Sequence, residues 1–339
     1  MNFSERFERV FRAVLPAPFT IAVILTLLTM LLALVFTEPS ANQNHLLEIL
    51  AYWEQGLWNA PLLVFAVQMM LILVLGHVLA LSPEVSKLID RLTGKMDSPA
   101  KAAWIVTFST LLVAFFNWGL GLIFGAIIAR KTGERFASQG KALNYPLIGA
   151  AGYSGLMVWH GGISGSAPIK VVEEGHLASL MQGILPPDQL DRLPARIPFN
   201  ETVFSSMNLS VSVLLLVLLP LLMAWLMKRS KPGRIDLNVK SIKTEIQTES
   251  IRGAERLDYS RIFCLSFAFL ILTYGLFIPF QQSTFSFNFL TPNYINLILL
   301  GLALLFHGNF ARFLAAVDEA IGGASGILIQ FPLYFGIMG

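Results

Sequence analysis

The chain has 339 residues, 55% of them apolar and only 13% charged, where an ordinary soluble domain carries about 25% charged residues. This composition, with a mean hydropathy of +0.65, predicts an all-α polytopic membrane protein embedded in a lipid bilayer. The formal net charge of +3, with no base-reading module or aromatic-interleaved basic tract, gives no argument for nucleic acid; the single cysteine, Cys264, leaves neither a disulfide framework nor a thiolate metal cluster.

Residues 1–18 read as a cytoplasmic amphipathic N-terminus, with Phe3, Phe7, Val10, Phe11 and Val14 at helical spacing on one face. A signal peptide fits poorly, because the charged region is mixed and no small-residue cleavage site clearly follows Phe36. The first span is 19–36. The connection up to Pro61 holds no Lys or Arg, only Glu38, Glu48 and Glu54, and so lies outside by the positive-inside rule. The second span, 62–81, returns inward and carries Gln68 and His77. Lys87, Arg91, Lys95 and Lys101 then mark a cytoplasmic connection.

Residues 102–129 are apolar but broken at Asn117-Trp118-Gly119, and Arg130, Lys131, Arg135 and Lys141 follow at once. Basic residues on both flanks favour a re-entrant hairpin with one arm over 102–116, a tip over 117–121 and a return arm to 129. One long tilted helix is the alternative, and it would leave those four positive charges outside. Residues 143–168 form the stretch around which the rest is organised: Gly149, Gly152, Gly155, Gly161, Gly162 and Gly165 interleave with Ser154, Ser164 and Ser166 in an otherwise apolar run. Helix is expected to loosen at His160-Gly161-Gly162. Unwound backbone at membrane depth is tolerated only inside protein or along a cavity, so a broken helix here is a candidate binding segment.

A polar, proline-bearing stretch to Asn200 is placed outside, and the span 203–227 ends firmly inside against Lys228, Arg229, Lys231 and Arg234. These elements make 19–229 a first transmembrane repeat. Residues 230–261 read as a cytoplasmic linker, and 262–339 as a linking helix pair and the start of a second repeat. Residues 51–70 and 315–332 each hold an amphipathic acidic piece, a small-residue corner and an apolar run with one glutamine, Gln68 or Gln330, running in opposite directions. That is the pattern of an inverted-repeat secondary transporter. On this reading the second repeat is incomplete, and the sequence is a shortened version of a longer transporter.

Residues 114–130 (AFFNWGLGLIFGAIIAR), 145–168 (YPLIGAAGYSGLMVWHGGISGSAP), 201–208 (ETVFSSMN) and 322–339 (GGASGILIQFPLYFGIMG) resemble the AtoE-type short-chain fatty acid transporters, a likeness that extends over essentially the whole chain from Phe7. The resemblance implies a multi-pass carrier of the bacterial inner membrane that takes up acetoacetate, butyrate and similar short carboxylates. It also implies kinship with the broader ion-transporter group, whose members pair two re-entrant hairpins. An enzyme is not expected.

A carboxylate leaving water needs several donors to replace its hydration. Asn117 can offer its amide, Gly119 and Gly121 let a ligand approach the backbone, and Ser164, Gly165 and Ser166 offer hydroxyls and N–H groups; Trp118, Trp159 and Met157 can shape the apolar pocket. The bland readings stand beside these: Asn117 as a helix cap, small residues as close-packing devices, tryptophans as interfacial anchors. His160, the titratable side chain of the central motif, is a proton-coupling candidate. Gln68 is read chiefly as structural, with cation binding as its other role. Coupling by H+ and by Na+ are not separated by the sequence; no cofactor or resident metal is expected, and a homo-oligomer is admitted. Lys170 reads as a snorkelling cation or one that steers anions. Two competing classes remain, a small-anion channel and an intramembrane serine hydrolase built on Gly152-Tyr153-Ser154-Gly155; the second lacks a base on another helix at similar depth.

Overall fold

The protein is described by a computed structural model over residues 14–39, 44–182, 184–231, 233, 253–281 and 287–339. The amphipathic N-terminus and most of the 230–261 linker lie outside these residues. Most of the long helices begin where side chains can satisfy otherwise orphaned N–H groups, while the first starts on a proline, Pro18, with no side-chain cap. α1 (Pro18–Phe36) is followed by α2 (His45–Leu57), whose N-cap Asn44 accepts from Leu46 and Leu47 N. α3 (Ala60–Ala80) leads into α4 (Pro83–Gly94), capped by Ser82 with Pro at its first position. The same Ser-Pro device, Ser98 with Pro99, starts α5 (Pro99–Phe116). α6 (Trp118–Ser138) follows after a single residue, Asn117.

α7 (Tyr145–Tyr153) ends in a 3-10 turn, Ser154–Met157, and irregular chain over 158–165 leads to the short α8 (Ser166–Val171), α9 (His176–Met181) and α10 (Pro187–Leu190). α11 (Ser206–Arg229), α12 (Arg261–Phe277), α13 (Pro292–His307), α14 (Phe310–Ile321) and α15 (Ser325–Met338) complete the set. Among the described residues the only β pairings are two isolated bridges. Six helical stretches there are long and apolar enough to cross a membrane: Pro18–Phe36, Ala60–Ala80, Pro99–Phe116, Ser206–Arg229, Arg261–Gln281 and Phe310–Met338. The chain is an all-α polytopic membrane protein.

The helices group into two compact units, one of residues 1–70 with 322–339 and one of residues 71–321. In the first, α2 and α15 meet through glycine: a Cβ on Gly56 would stand 2.5 Å from Phe335 O, and one on Gly336 2.6 Å from Trp53 Nε1. α1 buries little beyond Ala22 and Thr26 and turns its leucines outward, as a lipid-facing helix does.

The second unit is organised around α5 and α6. A Cβ on Gly121 would lie 2.5 Å from Ala114 Cα, and one on Gly125 2.9 Å from Thr110 Cγ2, so the chain doubles back on itself one turn at a time. This is a helical hairpin, and no single long helix passes through Asn117. α6 continues past the apolar run to Ser138 because its charges are partnered along the helix, with Arg130 on Glu134, and across to α4, with Lys131 on Asp90 at 2.6 Å. Ile89, Met96, Phe124, Ile128, Phe136 and Ile148 form the core beneath, closed on one side by Met223 and Met227 of α11.

Candidate functional site

Asn117 serves two helices at once. Its backbone is extended (φ −146°, ψ 120°), which neither helix accepts, so the chain turns there. Its N–H donates to Val113 O at 2.9 Å to finish α5, and its Oδ1 accepts from Leu120 N at 2.7 Å to start α6. The side chain is wholly buried, yet the amide nitrogen Nδ2 has no hydrogen-bond partner. Buried polar groups are ordinarily satisfied, so an orphan donor at a helix corner in a membrane protein is a place where a ligand acceptor is wanted.

The second break is laid against this tip. Trp118 N donates to Ser164 Oγ at 2.9 Å, and Ile163 N donates to Phe115 O at 2.8 Å. Having accepted a hydrogen bond from the tip, the Ser164 hydroxyl keeps its own proton to donate. Trp118 and Trp159 meet edge to face, with ring centroids 5.2 Å apart, and roof the contact. Gly162 is required here, because a Cβ would stand 2.6 Å from Phe115 O. On the opposite side α3 passes at Gly76, whose Cβ would meet Leu120 N at 2.6 Å and Asn117 Oδ1 at 2.8 Å; a Cβ on Gly119 would reach Leu73 Cα at 2.9 Å. Gly119 and Gly121 thus sit within the first turn of α6, packed on α3 and α5 respectively.

The structure therefore brings Asn117, Trp118, Gly119, Gly121, Ser164 and Gly165 into one buried corner, with Ser166 half-buried at the start of α8. His160 stands apart: it is exposed on the loop, its ring edge-on to Trp159 at 4.5 Å. Gln68 is buried in α3 within the other compact unit. The helix loosens earlier than His160, from Ser154 onward, because Gly152 and Gly155 must lie flat on the hairpin: a Cβ on Gly152 would stand 2.4 Å from Gly125 O.

Two contributors escaped sequence reading, and a third residue, Lys170, sits differently from its first reading. Asn208, near the start of α11, donates from Nδ2 to Gly161 O (2.9 Å) and to Val203 O (2.7 Å), and so holds the unwound loop. A lone amide entering an otherwise aliphatic helix was its signal. Gly76 was hidden among the leucines of α3. Lys170 is not a snorkelling cation, for its side chain is 11% exposed and ion-paired with Glu173. Beside them His176 has its pKa pushed below the usual histidine range, first by burial and then by the Lys170 charge, with Glu173 acting in the opposite direction.

The family model described as "Short chain fatty acid transporter" matches residues 2–339. The chain belongs to that family. A short-chain fatty acid transporter by name from Escherichia coli (strain K12) is 33% identical over 327 residues, covering 95% of this chain and 68% of the relative. A protein of the same name from Haemophilus influenzae (strain ATCC 51907 / DSM 11121 / KW20 / Rd) is 31% identical over 329 residues, covering 95% and 69%. No solved structure matches the chain. Within this transporter family, the buried corner at Asn117 and Ser164 is the candidate for the place where a carboxylate is held.

Proposed function

We propose that the protein carries short-chain carboxylates such as butyrate and acetoacetate across the bacterial inner membrane, with uptake coupled to H+ or Na+. The observation that carries this reading is the orphaned Asn117 amide, buried at the hairpin tip beside the hydroxyl of Ser164. A carboxylate accepts and does not donate, so it matches a corner whose unfilled groups are donors. Trp118, Gly119, Gly121, Gly165 and Ser166 complete the proposed set, the glycines by letting the tip and the loop pack closely enough to hold the corner together. Gln68 and His160 are the candidates for coupling.

Because Asn117 and Ser164 are closed off in this conformation, binding requires the hairpin tip and the unwound loop to part, and the Trp118–Trp159 contact is the seam along which they do so. The test is uptake of labelled butyrate by vesicles containing the purified protein, with a proton or a sodium gradient imposed in turn. Saturable accumulation driven by one gradient supports the proposal. Flux that never saturates and never exceeds equilibration would instead support a channel.

A further inference from the structure

We infer that Lys170 is a carboxylate-docking residue, kept occupied by Glu173 until a substrate carboxylate replaces it. The inference deepens the proposed function and rests on it. Lys170 lies one helical turn beyond Ser166, on the same face of α8 and immediately past the unwound loop. Its ion pair with Glu173 leaves the two side chains 11% and 25% exposed, and it is the most enclosed ion pair among the described residues. The others, on α4, α5 and α6, each have one partner at least 43% exposed.

A half-buried pair of this kind is weak evidence for stability, because partly desolvating both charges offsets their attraction; breaking it by removing one partner is what costs most. An exchange avoids that cost, since one carboxylate leaves as another arrives and the ammonium is never left alone. The geometry suits it. Glu173 stands in the non-helical corner between α8 and α9, where Gly175 at φ 76° turns the chain and donates to Ala195 O at 2.9 Å, so its side chain can swing without unwinding a helix.

The chemistry suits it as well. Beyond its Cα, a glutamate side chain is two methylenes and a carboxylate, which is a tethered propanoate. A setting that accepts this group on Lys170 accepts the head of a free short-chain acid, with Ser166 one turn away on the same helix. Lys170 then serves as the first holding point, just beyond the loop that carries Ser164 to Asn117.

The test uses the full chain in detergent and in vesicles, with butyrate as the probe. Lys170→Gln is expected to abolish both the thermal stabilisation by butyrate and saturable uptake. Glu173→Gln, by removing the internal competitor, is expected to lower the KM for butyrate about tenfold. The double variant Lys170→Gln/Glu173→Gln, which removes both charges of this pair, is expected to fold as the unaltered protein does and still not bind. Wild-type uptake in the double variant, or a raised KM in Glu173→Gln, would reduce the pair to a structural tie and overturn the inference. Butyrate binding by Lys170→Gln equal to that of the unaltered chain overturns the docking role alone. Failure of the unaltered chain itself to bind or carry any short carboxylate overturns the proposed function and this inference together.

Discussion

The second unit breaks its helices twice, and the two breaks are held by different means. At Asn117 a single extended residue separates α5 from α6, and that residue closes both helix ends with its own backbone and side chain. Over 158–165 the chain runs irregularly, with local turns such as Gly162 N on Trp159 O, and three of its polar groups are closed by other elements: Ser164 by Trp118 N, Ile163 by Phe115 O, Gly161 by Asn208. The first break is self-supporting and has one donor left over. The second depends on its neighbours, so it is the part that can move while the tip stays formed. A carrier needs both, a fixed donor set and a flap that exposes it.

The sharpest way to break the comparison is to force the two segments apart. Gly125→Val or Gly152→Val would drive a side chain into backbone that approaches within 2.0 and 2.4 Å of the first added atom. Each is expected to cost about 3 kcal/mol or more and to remove folded protein from the membrane, measured by monodisperse yield after extraction. Gly149→Ala, which meets nothing within 4 Å, is the matched control and should leave yield unchanged.

A second set separates cap from donor. Asn117→Ala loses the α6 cap, costing about 1 kcal/mol, together with the spare amide. Asn117→Ser keeps a capping oxygen, but its side chain ends one heavy atom short of Nδ2, so its hydroxyl proton does not reach the place of the spare amide; it should melt close to the unaltered protein in a thermal scan. Loosening the second break comes next in size. Ser164→Ala leaves Trp118 N without its partner and should lower stability by about 1–3 kcal/mol, and Asn208→Ala should act on the loop by a similar amount. In both variants, limited proteolysis should increase around 158–165 and leave the α5–α6 hairpin intact.

Much of this was legible in the residues. Basic flanks on either side of 102–129 argued for a doubling back, and Asn-Trp-Gly marked its corner because asparagine caps and glycine admits close packing. The small-residue run of 143–168 announced a broken helix. The point of breakage was not legible, since it is set by Gly152 and Gly155 lying against Gly125, Thr110 and Ala114, contacts distant in sequence. Asn208, Gly76 and the enclosure of Lys170 were hidden for the same reason. Local pattern reports a residue's type, whereas what it touches depends on the packing of α3, α5 and α11. The capping reading of Asn117 is the one the structure shows, through Oδ1, and the proposed binding role rests on the Nδ2 that remains.

The smallest expected effect concerns pH. His176 has its pKa lowered by burial and by Lys170, so its neutral form is favoured on folding. Its contribution is in full force above the ordinary histidine pKa of about 6.5 and is lost as pH falls through the lowered folded value. Melting temperature should therefore decline modestly from neutral pH toward pH 5, and His176→Gln should flatten that part of the profile.

The measurement that bears most directly on the corner at the two breaks is saturable uptake of labelled butyrate by vesicles holding the Asn117→Ser protein, beside vesicles holding the unaltered chain at equal density. The account predicts that the variant melts normally and that its uptake falls to background. Uptake at the unaltered rate would contradict it, because the buried amide would then hold nothing and Asn117 would be a helix cap alone.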